Sequence, residues 1–187
     1  MLNQTTITIK GITPLIMHNG RLADPLDEAT QALAKITGKR KKTHDDHLAM
    51  AKCEWYGGLY TDEDGAPCLP GEVIESCLVE GAKKYKLGKV AKGAVVVDGN
   101  FALEYDGPKD IDKLWERGGF VKRAGVRVAQ ARVIRRRPIF PAWSCAFVVS
   151  WDASMIRDLS QLMEIVESAG SSGIGDWRPK FGRFEIV

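Results

Sequence analysis

The closing stretch "SSGIGDWRPKFGRFEIV" (171–187) gathers Gly173, Gly175 and Gly182 with Trp177, Arg178, Lys180, Phe181 and Arg183. Glycine lets a backbone approach a ligand closely, aromatic faces stack on planar groups, and guanidinium groups pair with phosphate. Those types in so short a span imply contact with nucleic acid or with another subunit. The competing reading is a glycine-rich turn in which Trp177 and Phe181 are lids on the core.

Three further places hold side chains able to do chemistry. His18, in "PLIMHNG", has the residue type of a general base for RNA cleavage, although a lone loop histidine is more often structural. Asp24 and Asp27 are two carboxylates of a polar stretch. "THDDH" sets His44 and His47 three residues apart beside Asp45 and Asp46, a spacing able to grip a metal. No third ligand stands at recognisable spacing, and both aspartates suit the electropositive first turn of a helix capped by Thr43. The expectation is therefore no metal site and no cofactor.

Charge is segregated. The net charge is only +3, yet 120–140 carries Lys122, Arg123, Arg127, Arg132, Arg135, Arg136 and Arg137 without one acidic residue. Lys83, Lys84 and the lysines that follow to Lys92 form a second basic run, and Lys39, Arg40, Lys41 and Lys42 a third. Acids collect in 24–28, 62–64, 98–116 and 152–167. A modest net charge distributed in this way implies one basic face on a balanced body, which is the electrostatic footprint of a phosphate binder.

These residues need a scaffold. The length of 187 residues suits one domain with a proper core, and the 27% charged share is ordinary for a globular chain. Cys53, Cys68, Cys77 and Cys145 lack C-x-x-C spacing, so reduced thiols in a cytoplasmic setting are expected. The alternating start "MLNQTTITIK" is unlike a targeting segment, and no apolar run is long enough for a membrane.

Alternation predicts a strand at Thr5–Gly11, and helical spacing predicts helices in 24–38, in 43–60 behind Thr43, and in 71–85 with Val73, Ile74, Cys77 and Leu78 as its stripe. One or two short strands follow in 93–107. A weakly alternating strand runs from Val126 to Phe140 and an apolar one through "WSCAFVVSWD". The pattern then predicts a helix from Ser154 to Ala169 and a last strand in "GRFEIV". With its insertions removed, the order is β-α-β-β-α-β: an α+β, ferredoxin-like or RRM-like antiparallel sheet with two helices on one face. Its second face is one that nucleic-acid binders often use.

Two motifs carry a family resemblance. "DGAPCLPGEVIESCL" (64–78) resembles the turn and helix start of the RAMP superfamily, the backbone proteins of CRISPR effector complexes. "GIGDWRPKFGRFEI" (173–186) resembles the same family's carboxy-terminal glycine-rich loop. The resemblance implies one RAMP-like domain in which 13–63, between first strand and first helix, is a thumb- or web-like insertion. It also implies binding of single-stranded nucleic acid, RNA favoured, and association with copies of itself or with other effector subunits, in an antiviral or mobile-element setting. The small hydroxyl and lysine residues that the family places after its Pro-Gly are replaced here by Glu72 and Glu75, so a phosphate contact there does not carry over.

The resulting expectation is a sequence-tolerant RNA-binding subunit that is not an enzyme. Its contacts would come from Lys39, Arg40, Lys41, Lys42, Lys83, Lys84, Arg127, Arg132, Arg135, Arg136, Arg137 and the closing loop. The alternatives are a metal-assisted endoribonuclease using Asp24, Asp27 or His18, and a module that docks into or mimics an effector subunit.

Overall fold

The computed structural model describes residues 2–128 and 130–187, apart from the side chains of Val128 and Ala131. Strand β1 (Leu2–Gly11) places Ile7 and Ile9 on one face, as its alternation requires, and buries both. It lies between β8 (Ser144–Asp152) and β9 (Phe184–Ile186), with Ile7 opposite Phe147 and Ile9 opposite Cys145 and Ile186. The short β4 (Val95–Val96) adds to the outer side of β8 and completes an antiparallel sheet of order β4-β8-β1-β9.

Helices α3 (Gly71–Ala82) and α6 (Leu159–Ser172) connect β1 to β4 and β8 to β9. Ile74, Cys77 and Leu78 of α3 pack with Leu162, Ile165, Val166 and Ala169 of α6 in the core over this sheet. Gly81 is where the two helices meet, since a Cβ there would stand 2.6 Å from the Ile165 carbonyl oxygen. Strand, helix, strand, strand, helix, strand is the ferredoxin-like arrangement that the pattern predicts.

Two insertions elaborate it. The first carries β2 (Leu15–Ile16), α1 (Glu28–Thr37) and α2 (His44–Gly58). Thr43 caps α2 and Asp46 returns the bond to the Thr43 amide, so the aspartates of "THDDH" serve a capping box. The second insertion, between β4 and β8, holds β5 (Asn100–Ala102), α5 (Ile111–Arg117), β6 (Val121–Val128) and β7 (Ala131–Phe140); β5 pairs with β3 (Cys68–Pro70).

Here the structure corrects the pattern. The alternation read from Val126 to Phe140 is the second half of an antiparallel β6–β7 hairpin, and Ala129, which it spans, lies outside the described residues. Helix α6 starts at Leu159 rather than Ser154, because the Asp158 carboxylate accepts from the Gln161 amide and caps it there. The outward face of the main sheet bears Gln4, Thr6, Thr8, Lys10, Ala146, Val148, Ser150, Glu185 and Val96, with no aromatic ring, and so offers no stacking platform. Among the described residues, no helix is long and apolar enough to cross a membrane.

Candidate nucleic-acid interface

The β6–β7 register sorts the basic hairpin residues by face, because directly paired residues of an antiparallel ladder point the same way. Arg123 lies opposite Arg136 and Arg127 opposite Arg132, with Gly125 and Ile134 between the two pairs, so four arginines share one face. Among the described residues, no carboxylate stands within ion-pair distance of any of them. Ile134, 50% exposed, rises between the pairs.

The other face carries Lys122, Arg135 and Arg137 and turns inward. Arg135 is ion-paired with Glu54 of α2, a carboxylate only 4% exposed, whose second oxygen accepts the Arg136 amide at 3.0 Å. Glu54 thus covers the edge of β7 and neutralises one arginine. Arg137, 12% exposed, is held by Asp176 of the closing loop at 3.3 Å, and its Nη2 lies 3.5 Å from His18 Nε2. Partial burial and the neighbouring Arg137 hold the His18 imidazole below its ordinary pKa, against the opposing pull of Asp176. A run that is unopposed in sequence is therefore opposed in space at two of its positions.

The closing loop is anchored by its own backbone. The Asp176 amide donates to Ile16, the Gly182 amide to Pro14 and the Ile174 amide to Gly182. Gly173, Gly175 and Gly182 all have positive φ; a Cβ on Gly175 would stand 2.4 Å from the Ile16 oxygen, and one on Gly182 1.7 Å from that of Ile174. These glycines serve close approach of the chain to itself. Trp177 and Phe181, both half-buried, sit with ring centroids 6.2 Å apart, and Lys122 of β6 and Lys180 lie over Phe181. Arg178 and Arg183 are exposed, and Arg178 borders a small hollow with Tyr60, Ser76 and Gly175. The base of the hairpin and the loop therefore form one surface.

A cleft of roughly 530 Å³ opens between the hairpin and α1–α2, with Lys42, His47, Met50, Arg123, Ile134 and Arg136 among its walls and Glu54 within it. The structure thus brings Lys42 to the hairpin arginines. Lys39 is bound to Asp46 at 2.6 Å, while Arg40 and Lys41 are exposed at the loop tip. Lys83 and Lys84 lie elsewhere, after α3, and Lys83 is ion-paired with Glu80.

The weak catalytic candidates have structural engagements. Asp27 caps α1 and pairs with Arg21 at 3.1 Å; partial burial, which raises its pKa, is outweighed by the Ala29 amide and Arg21, which lower it. Asp24 accepts from the Leu26 amide. No group of three or more His, Cys, Asp or Glu able to hold a metal occurs among the described residues. Burial pushes the Cys77 and Cys145 thiols up to about 12 and Cys68 to about 11, so these sulfurs are resting thiols.

Sequence reasoning counted Lys122 and Arg123 in the basic run but left them out of the contact residues, and it missed Ile134. A strand alternation beginning at Val121 was the available signal.

The chain matches no protein-family model and no curated protein sequence. Its fold does match solved structures. One is a chain in the cryo-EM structure of the type III-B Cmr-beta bound to cognate target RNA, with a TM-score of 0.52 and 10% identity. The match covers 100% of this chain and 59% of that one, so this chain spans little more than half of its neighbour's length. At that identity the likeness is one of fold. It agrees with the α+β, ferredoxin-like arrangement that the order of strands and helices predicts.

Proposed function

We propose that this chain binds single-stranded nucleic acid, RNA in preference, through the outer face of the β6–β7 hairpin, the adjoining cleft and the closing loop. It would work as a RAMP-like subunit of a nucleoprotein assembly, one domain in which 13–63 is a thumb- or web-like insertion. One observation carries the reading: Arg123 faces Arg136 and Arg127 faces Arg132, and none of the four forms an ion pair among the described residues. Like charges directly opposite on a sheet destabilise it. A polyanion laid along that face removes the repulsion and releases its own counterions. The fold shared with a chain from an RNA-bound complex supports RNA as the polyanion.

Fluorescence anisotropy with a labelled single-stranded RNA, titrated at several salt concentrations, tests this. Replacing Arg123, Arg127, Arg132 and Arg136 by alanine is expected to flatten the log-affinity against log-salt slope by up to about 0.7 per arginine. The Arg40→Ala, Lys41→Ala pair is expected to have a smaller effect of the same kind. A wild-type chain that ignores RNA, or an unchanged slope in the fourfold variant, overturns the reading.

A further inference from the structure

A larger groove lies away from the hairpin, on the helical side of the sheet. It encloses roughly 960 Å³ between α3, the segment after it, α4 (Gly88–Ala94) and the end of β4. Val79 of α3 and Val97 give it an apolar lining, and Val96, paired with Ser150 of the outward face and 47% exposed, stands at its rim. One wall carries Lys86, Lys89 and Lys92 at three-residue spacing, and no carboxylate among the described residues pairs with them. The other wall carries Glu72, Glu75 and Asp98.

That acidic wall argues against nucleic acid, since a polyphosphate drawn to the lysines would lie along three carboxylates. An apolar lining between walls of opposite sign fits a polypeptide with carboxylates along one edge and apolar side chains beside them.

Such a surface exists on this chain. The exposed stripe of α6 presents Glu164 and Glu167, also three residues apart and with no ion-pair partner among the described residues, beside Leu159 at 47% exposure and the half-buried Met163. Helix α3 packs against both α4 and α6, so groove and ridge occupy one helical layer. A chain carrying both a socket and its complement can pair with a second copy, and the contact closes at two where each copy gives its ridge and receives the other's.

We propose that the lysine groove is the docking site for the α6 ridge of a second copy of this chain, and that two copies close as a two-fold pair. Lys89 and Lys92 of one copy face Glu164 and Glu167 of the other, and Leu159 and Met163 cover the valine lining. The pairing uses none of the hairpin arginines and does not rest on the nucleic-acid reading.

Sedimentation over a concentration series, without nucleic acid, tests it. The wild-type chain is expected to move from its monomer mass of 20.6 kDa to twice that value and no further. The groove variant Lys89→Glu, Lys92→Glu and the ridge variant Glu164→Lys, Glu167→Lys are each expected to weaken self-association by about a hundredfold or more, because each sets like charges together. An equimolar mixture of the two restores opposite signs at both contacts and is expected to regain a one-to-one pair, which misfolded chains would not do. A wild-type chain that stays monomeric, variants that pair like wild type, species that grow beyond two, or a mixture that fails to recover would each overturn the proposal.

Discussion

Removing the Arg137 guanidinium takes a charge from between His18 and Asp176, and the two neighbours respond in opposite ways. Asp176 loses a partner that is 12% exposed, so Arg137→Ala is expected to destabilise the fold by about 1–3 kcal/mol, read by urea denaturation. Arg136→Ala, whose side chain makes no ion pair among the described residues, is expected to change stability by less than about 0.5 kcal/mol and to weaken RNA binding instead. His18 supplies the pH dependence. Its folded-state pKa is lowered by burial and by Arg137, so the unfolded chain binds its proton more readily. Stability from this source is full above the ordinary histidine value of about 6.5 and is lost as the pH falls below it. His18→Gln should therefore lose less melting temperature than wild type between about pH 7.5 and pH 5. An imidazole that titrates by NMR at or above its ordinary value would remove the cause.

At the scale of elements, α2 and the hairpin are joined through one buried carboxylate. Glu54→Ala leaves the Arg135 charge and the Arg136 amide without their acceptor, and is expected to cost about 3 kcal/mol. Glu54→Gln keeps an oxygen for the amide and should cost about half as much. Hydrogen exchange at the Arg136 amide should rise in the alanine variant before the α3–α6 core loosens; equal loosening of both would mean that Glu54 does no more than pack. This join explains what the sequence could and could not reveal. The Thr43 cap, the α3 stripe and the alternation of β1 are local signals, and each was legible; Asp27, read as a catalytic candidate, is the cap of α1 instead. The β6–β7 hairpin was not, since the sequence from Val121 to Phe140 contains no Asn-Gly or Asp-Gly, the chemistry that marks a hairpin turn. The ion pairs were hidden as well: Arg135 meets Glu54 across 81 residues and Arg137 meets Asp176 across 39. The loop glycines were legible as close-approach positions, but the chain they approach is the protein's own, at Leu15–Ile16 and Ile174. For that reason Gly182→Ala should lower the melting temperature whether or not RNA is present.

Across the whole molecule, the basic residues divide between two surfaces with different electrostatic surroundings. Lys42 and Lys122 lie with arginines at the hairpin and the closing loop. Lys86, Lys89 and Lys92 line a groove whose facing wall is acidic. A modest net charge of +3 conceals this division, because it sums the two surfaces with the acids of α5 and α6. Amine acylation followed by mass spectrometry reads the two surfaces separately. Saturating single-stranded RNA is expected to slow modification of Lys42 and Lys122 severalfold while leaving Lys89 and Lys92 as reactive as in the free monomer. Raising the protein concentration without RNA is expected to do the reverse. Salt separates the two further: protection by RNA should fall steeply as ionic strength rises, since it depends on counterion release, whereas protection of the groove lysines should fall less because apolar contact at Val79, Val96 and Val97 accompanies the charges. If RNA protects all five lysines together, the groove belongs to the nucleic-acid path and the acidic wall does not exclude it. If RNA protects none, the hairpin face is not where it binds.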